Sequence, residues 1–190
     1  MYTDQTFNEF KTTLIKLFTE VGEDPSRDGL IETPQRIFKM YKELFNGYSQ
    51  NPASVFKTFD GNGYQQLVSV TNIDFYSLCE HHMIPFWGQV HIGYVPNGKI
   101  LGLSKFARLV DIFSSRLQTQ ENLTYQIMKA INTYLKPQGC IIHVEAEHLC
   151  VSMRGIKKKG FITKTTLKSG LLETRSDFTD QFYRDINSIK

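Results

Sequence analysis

The sequence predicts a single α+β domain, and this expectation rests on length, composition and the order of its periodic segments. A working prior of roughly 150 residues per domain assigns one domain to the 190 residues. Hydrophobic residues make up 41% of the chain and charged residues 22%, which is typical of a globular protein with a buried core. Two helical patterns, two extended ones, two more helical, two more extended and a last helical one follow in order, as in an α+β fold.

Two amphipathic helices are predicted in an N-terminal helical region over residues 1–47. Apolar side chains recur at three- and four-residue steps through residues 5–21, which predicts a helix that ends at Gly22. Thr33 can cap a second helix and Pro34 suits its first position. The apolar stripe of that helix consists of Ile37, Met40, Tyr41, Leu44 and Phe45.

The remaining pattern predicts a core over residues 65–175 and a C-terminal helix over 176–190. No periodicity is visible from 48 to 66. Ser104 can cap the first of two central helices, and the second runs from about 121. Four strands in one chain leave two open sheet edges, which favours pairing with other subunits. The predicted strands lie near 67–77, 87–95, 140–147 and 161–168.

Composition excludes several classes of protein. No segment has the roughly 18 to 20 consecutive apolar residues of a membrane span, and the first ten residues do not resemble a signal peptide. A net charge of +3 is a weak basis for nucleic-acid binding, and Lys157–Lys159 lacks interleaved aromatic residues. Three cysteines cannot all pair with one another, which indicates reduced thiols and a cytoplasmic location.

The strongest local motif is a cysteine and a histidine three residues apart, Cys79 and His82. Such a pair can bind one Zn²⁺, although a lone C-x-x-H also occurs with ordinary buried cysteines and packed histidines. His148 and Cys150 follow at the end of a predicted strand. Cys79, His82 and Cys150 would form a set of three ligands with an open fourth position, as in catalytic zinc sites. Cys140 lies among aliphatic residues and is interpreted as a core residue.

Several polar residues remain open between a binding role and an ordinary structural one. Ser104, Lys105 and Arg108 begin a predicted helix, where they could bind an anion or simply cap the helix and face solvent. Glu121 could accept hydrogen bonds from a ligand or act only as a favourable acid in a first helical turn. Arg154 could lie near the metal or on the surface before a turn.

Taken together, these motifs resemble GTP cyclohydrolase I of the zinc-dependent type. The resemblance extends from about residue 5 to 185 and depends on several separated motifs with compatible spacing. The motifs are Arg27-Asp28-Gly29-Leu30 with Thr33-Pro34 and Arg36, Cys79-Glu80-His81-His82, Gly102-Leu103-Ser104-Lys105 with Arg108, Gln118-x-Gln120-Glu121-x-Leu123-Thr124, and His148-x-Cys150 with Arg154-Gly155.

The resemblance implies a fold and an assembly. One GTP cyclohydrolase I domain over 1–190 would adopt the tunnelling fold, an antiparallel four-stranded sheet with helices on one face and an N-terminal helical region. Sheets of several subunits would join into a β-barrel. The expected assembly is a homodecamer of two pentamers with active sites between subunits.

The resemblance also implies a reaction: the conversion of GTP to 7,8-dihydroneopterin triphosphate and formate. Zinc on Cys79, His82 and Cys150 would activate water. His148 would protonate N7 of the purine, and His81 would assist at the same ring. The other implied residues are Ser104 at the ribose, Glu121 and Gln120 at guanine, Lys105, Arg108 and Arg154 at the triphosphate, and Lys39 and Arg36 from a neighbouring subunit.

Two other functions are alternatives to this enzyme, a binding protein and a reductase. A non-catalytic zinc-containing binding protein on the same fold would have no need of His81, His148 and Glu121. A deazaguanine nitrile reductase would use a nucleophilic cysteine without zinc, which the second histidine and Cys150 argue against. The product could enter folate, tetrahydrobiopterin or deazapurine synthesis, and the sequence does not distinguish these pathways.

Overall fold

The computed structural model describes residues 3–188, which form two compact units. The first ends at Phe45 and the second begins at Asn46. The predicted limits at residues 1 and 190 lie outside the described residues, as do residues 2 and 189.

The first unit consists of two helices, as predicted. They are α1 (Asp4–Glu20) and α2 (Thr33–Leu44). The Phe38 ring of α2 lies 5.2 and 5.7 Å, between ring centroids, from Phe7 and Phe10 of α1. Such aromatic contacts give the two amphipathic stripes a common apolar seam.

The predicted cap of α2 is wrong by one residue. Thr33 is itself the first helical residue, Glu32 occupies the cap position, and no side chain caps the helix there. The hydroxyl of Thr33 instead donates a hydrogen bond to the carbonyl of Gly29 at 3.3 Å. Because Pro34 lacks a backbone N–H, one of the donors that a cap would satisfy is absent.

The second unit contains a five-stranded sheet, a two-stranded sheet, five α-helices and two short 3₁₀ helices within the described residues. The five-stranded sheet has the order β5-β2-β3-β6-β7, and β1 pairs with β4 in the other. The strands are β1 (Thr58–Asp60), β2 (Val68–Cys79), β3 (Pro85–Val95), β4 (Lys99–Leu101), β5 (Leu117–Gln118), β6 (Gly139–His148) and β7 (Ile162–Gly170). The helices are α3 (Leu103–Ser114), α4 (Gln120–Tyr134), α5 (Leu149–Ser152), α6 (Leu171–Thr174) and α7 (Ser176–Asn187).

The prediction of a four-stranded antiparallel sheet is correct for β2, β3, β6 and β7 but omits β5. That strand has two residues and pairs in parallel with the end of β2, through Leu78 with Leu117 and Cys79 with Gln118. A strand of two residues is too short to show the alternation that predicts a strand. The segment 48–66, where no element is predicted, contains β1, a short 3₁₀ helix (Pro52–Val55) and the end of another (Asn46–Ser49).

Helices cover both faces of the main sheet, which corrects the prediction that they lie on one. In β6, Ile142 packs in a core with residues of α3 and α4 such as Leu109 and Ile127. Its neighbour Ile141 packs in a second core with Phe182 of α7. Successive strand residues point to opposite faces, so the C-terminal helix lies on the other side of the sheet from α3 and α4.

Two further expectations concern single residues. The helix predicted to begin at a Ser104 cap begins at Leu103, with Gly102 in the cap position and no side-chain cap. Cys140 is fully buried among the residues of the first core, as predicted, and burial strongly raises the pKa of its thiol.

Among residues 3–188, none of the helices combines the length and apolar character that crossing a bilayer requires.

Candidate metal and substrate site

The candidate site forms where two strands of the main sheet terminate at the same end of the sheet. The strand β2 ends at Cys79 and β6 ends at His148, with β3 between them. The antiparallel register places Phe86 of β3 opposite His148, and Leu78 opposite Pro85. Residues that are 69 positions apart in the sequence therefore lie at one end of the sheet.

A tight turn brings His82 back to Cys79. The backbone N–H of Met83 donates to the carbonyl of Cys79 at 2.8 Å, and the N–H of Cys79 donates to the carbonyl of Ile84 at 3.0 Å. Met83 has a φ of 53°, in the left-handed region that closes such turns. As a result, the Sγ atom of Cys79 lies 3.8 Å from Nδ1 of His82 and 3.9 Å from Nδ1 of His81.

Cys150, in the short helix α5, completes a group of three side chains that could hold a metal ion. The candidate ligand atoms of Cys79, His82 and Cys150 all lie within 4.8 Å of one another. Zn–S and Zn–N distances of about 2.3 and 2.1 Å in a tetrahedron imply an S···N separation of about 3.6 Å. The observed 3.8 Å between Cys79 and His82 is close to that value, so this donor set fits a tetrahedral zinc ion.

The thiol of Cys79 also affects that of Cys150. Burial, followed by the proximity of Cys79, raises the pKa of the Cys150 thiol above its usual range, and Arg154 partly opposes this effect. A cation that binds both sulfur atoms favours the thiolate form and therefore reverses this perturbation.

The pairing of β5 with β2 places the start of α4 beside the thiols. The backbone N–H of Glu80 donates to the carbonyl of Gln118 at 3.0 Å, and Thr119 caps α4 by accepting from the N–H of Asn122 at 3.1 Å. A cavity of about 190 Å³ opens at this point. Its lining consists of Cys79, His81, Gln118, Thr119, Gln120, Glu121, His148, Cys150, Val151 and Thr163.

His148 is held on two sides within this cavity. Its ring stacks on Phe86, with centroids 4.7 Å apart and planes at 2°. Its Nε2 atom lies 2.9 Å from Oε1 of Gln120. Burial lowers the pKa of His148, and the carboxylate of Glu121 offsets part of this effect.

The structure brings together only some of the residues that the sequence singles out. Ser104, Lys105 and Arg108 lie on the first two turns of α3 and are absent from the described lining of the cavity. None of the cations Lys105, Arg108 and Arg154 forms an ion pair within residues 3–188. Arg36, in the first unit with Lys39, forms an exposed ion pair with Glu32 at 2.6 Å.

Sequence reasoning missed two contributors to the site. Phe86 supports the ring of His148, and Thr163 lines the cavity. The position of Phe86 directly after Pro85 offered a signal, because a strand that begins there is in register with the end of β6. Thr163 lies after the basic turn and carries no local signal.

Comparison with known proteins identifies the family. The family model described as GTP cyclohydrolase I matches residues 10–187. The chain belongs to the GTP cyclohydrolase I family. It is 44% identical over 179 residues to GTP cyclohydrolase 1 of Clostridium kluyveri, which covers 94% of this chain and 97% of that protein. It is 50% identical over 158 residues to GTP cyclohydrolase 1 of Brucella anthropi, which covers 82% of this chain and 74% of that protein.

A solved structure shows a weaker likeness. The crystal structure of the archaeosine synthase QueF-Like in the apo form has a TM-score of 0.47 and 19% sequence identity. The matched region covers 55% of this chain and 94% of that chain. Membership of the GTP cyclohydrolase I family rests on the sequence matches and not on this structure.

Proposed function

We propose that the protein converts GTP and one water molecule to 7,8-dihydroneopterin triphosphate and formate. The observation that carries this proposal is one cavity lined by His148, by Glu121 and by the two cysteines of a Cys-His-Cys group that could hold a metal ion. A structural metal site would require neither His148 nor Glu121. Membership of the GTP cyclohydrolase I family supports GTP as the substrate.

Cys79, His82 and Cys150 would hold a zinc ion at the edge of this cavity. The ion would leave one tetrahedral position open and would supply Lewis acidity that makes water nucleophilic at neutral pH. Two thiolates and an imidazole select zinc over the hard cations Mg²⁺ and Ca²⁺, which prefer oxygen ligands.

The side chains around this position would bind the purine and move protons. The carboxylate of Glu121 can accept a pair of hydrogen bonds from N1–H and the N2 amino group of guanine. His148 would deliver a proton to N7 as the imidazole ring of the purine opens, and the exposed His81 would assist. Two of these groups, Glu121 and His148, lie close enough for the carboxylate to influence the pKa of the histidine.

The triphosphate requires cations that this cavity provides only in part. Arg154 is close enough to Cys150 to influence its pKa and would contact a phosphate group. Ser104 at the ribose, with Lys105 and Arg108 at the triphosphate, does not line the cavity of the same chain. This separation supports a site that another copy of the chain completes.

The proposed assembly follows from that need. We expect a tunnelling-fold homo-oligomer, a decamer of two pentamers, whose sheets join through the free edges of β7 and β5 into a barrel. Lys39 and Arg36 would reach the triphosphate from a neighbouring subunit. The full chain 1–190 would act as one cytoplasmic GTP cyclohydrolase I domain at the start of pterin and folate synthesis.

The test is a GTP turnover assay combined with metal analysis. We expect about one zinc ion per subunit and release of formate with a pterin that fluoresces after oxidation. Cys150→Ser should lose both metal and turnover, because one of three protein ligands is removed. Cys140→Ala is the matched control: it removes a buried thiol that is not a ligand, so the metal content should be retained.

The outcomes separate the enzyme from its alternative. Zinc with unchanged GTP and no formate would replace this proposal with a non-catalytic zinc-containing binding protein. Full turnover by Cys150→Ser would remove Cys150 from the ligand set. Equal loss of metal in Cys140→Ala would show that the effect of Cys150→Ser reflects misfolding.

A further inference from the structure

The side-chain amide of Gln120 is almost completely buried, with 2% of the residue exposed, and its orientation is determined by its neighbours. Nε2 lies 3.0 Å from the carbonyl oxygens of both Val144 and Thr163, and 3.2 Å from the hydroxyl of Thr165. Backbone carbonyls only accept hydrogen bonds, so the amide atom that faces them must be the nitrogen. The amide oxygen therefore faces the other way.

That oxygen determines which nitrogen of His148 carries the proton. Oε1 of Gln120 lies 2.9 Å from Nε2 of His148, and an amide oxygen can only accept. Nε2 must therefore carry a hydrogen atom. In a neutral imidazole the other nitrogen, Nδ1, then has a free lone pair, and no hydrogen bond to Nδ1 occurs within residues 3–188.

Two threonines independently support this orientation of the Gln120 amide. The hydroxyl of Thr124 donates to the backbone carbonyl of Gln120 at 2.7 Å, which uses its only proton. Thr165, 2.7 Å from the Thr124 hydroxyl, must then be the donor of that contact. The oxygen of Thr165 is therefore an acceptor, and at 3.2 Å it shares one of the two Nε2 hydrogens of Gln120 with a carbonyl, so the directions of these contacts are consistent.

We propose that Gln120 is a positioning residue, which holds His148 in the Nε2-protonated tautomer and leaves Nδ1 to take up the proton released by the attacking water and then deliver it to N7 of the purine. The proposal rests on the proposed function, which gives His148 its role in proton transfer. It replaces the expected contact of the Gln120 side chain with guanine. For such a contact, the amide would have to leave the carbonyls of Val144 and Thr163. The carbonyl of Val144 is buried, and leaving it unsatisfied would cost about 1–3 kcal/mol.

The first test measures the tautomer directly in the protein without substrate. The protein is labelled with ¹⁵N-histidine and studied by magic-angle-spinning NMR at pH 8, where His148, whose pKa is lowered by burial, is neutral. The signals of His148 among the five histidines are identified by their loss in His148→Asn. We expect a protonated, pyrrole-type Nε2 and an unprotonated, pyridine-type Nδ1. The reverse pattern would overturn the proposal.

This measurement separates the two proposals, because it requires neither GTP nor turnover. If the protein does not convert GTP but shows the expected tautomer, the proposed function fails and the structural assignment stands. If it converts GTP with His148 in the other tautomer, only the positioning role fails.

The second test compares two buried glutamines. Gln120→Met removes the amide that contacts His148. Gln118→Met is the matched control: Gln118 is 1% exposed, and its Nε2 donates to the carbonyl of Phe113 at 2.8 Å and to Oε1 of Gln126 at 2.9 Å, but its amide makes no contact with His148. We expect a mixture of tautomers in Gln120→Met and the wild-type pattern in Gln118→Met.

Kinetics distinguish positioning from direct contact with the purine. Positioned acid–base groups contribute about 10²- to 10⁴-fold, so partial misplacement of His148 should lower kcat of Gln120→Met about 10- to 100-fold. KM for GTP should change less than about twofold, because no substrate contact is lost. A raised KM with unchanged kcat would indicate direct contact and would overturn the proposal. If Gln120→Met does not fold, the tautomer of the wild-type protein decides the question.

Discussion

Acid should destabilise this protein through His91, a buried histidine on the face of the sheet that α7 covers. Only 2% of His91 is exposed, and its Nδ1 accepts a hydrogen bond from the backbone N–H of Asn72 at 3.2 Å. Asn72 lies in an irregularity of β2 and has a φ of 58°. Protonation of Nδ1 would break this hydrogen bond and place a charge in the interior of the protein.

The size of this loss of stability follows from the pKa of His91. Burial lowers the pKa of His91 from 6.5 to about 4, and the neighbouring His143 and Lys164 contribute to this shift. The carboxylate of Glu145 opposes it. The unfolded chain therefore binds a proton at a higher pH than the folded chain, so stability is fully present above pH 6.5 and decreases as pH falls towards 4. This interval corresponds to a loss of up to about 3 kcal/mol.

The assay compares the wild-type protein with His91→Asn by urea unfolding at several pH values and constant protein concentration. The asparagine oxygen retains an acceptor for the N–H of Asn72 but does not titrate. Fluorescence of Trp87, the single tryptophan of the sequence and a residue of β3, reports unfolding. We expect His91→Asn to be less stable at pH 8 but to lose about 2–3 kcal/mol less than the wild type between pH 7 and pH 4. Parallel loss of stability in both proteins would refute the reasoning.

Two further predictions concern His148 and the sheet. His148→Asn should retain zinc and GTP binding, the latter measured by equilibrium binding, but should lower turnover about 10²- to 10⁴-fold, measured by formate release. Unchanged turnover would contradict the role of His148 as proton donor. Gly88→Ala should destabilise the fold by more than about 4 kcal/mol in urea unfolding, because a Cβ atom there would overlap the carbonyl oxygen of Glu145 on the adjacent strand. Gly155→Ala, whose Cβ would meet open space at a φ of 60°, should cost only about 1 kcal/mol, and equal effects would contradict the argument.

Much of the fold could be predicted from sequence because its elements are defined by near neighbours. The apolar stripes of α1, α2 and α4 repeat every three or four residues, and the alternation in β3 marks one buried face. The errors occur where such periodicity is absent. The strand β5 has two residues, and the position of α7 on the second face depends on which residues of β6 point towards it.

The residue types alone define the chemistry available to this protein: two thiols and an imidazole that fit a metal, two further histidines, a carboxylate and a group of cations. Those side chains keep their character wherever the chain places them. The folded chain is needed to bring the start of α4 to the end of β2 through β5, and to bring Gln120 into contact with His148 across 28 residues. Hydrogen bonds between distant segments depend on the register of paired strands, and no local pattern in the sequence records that register.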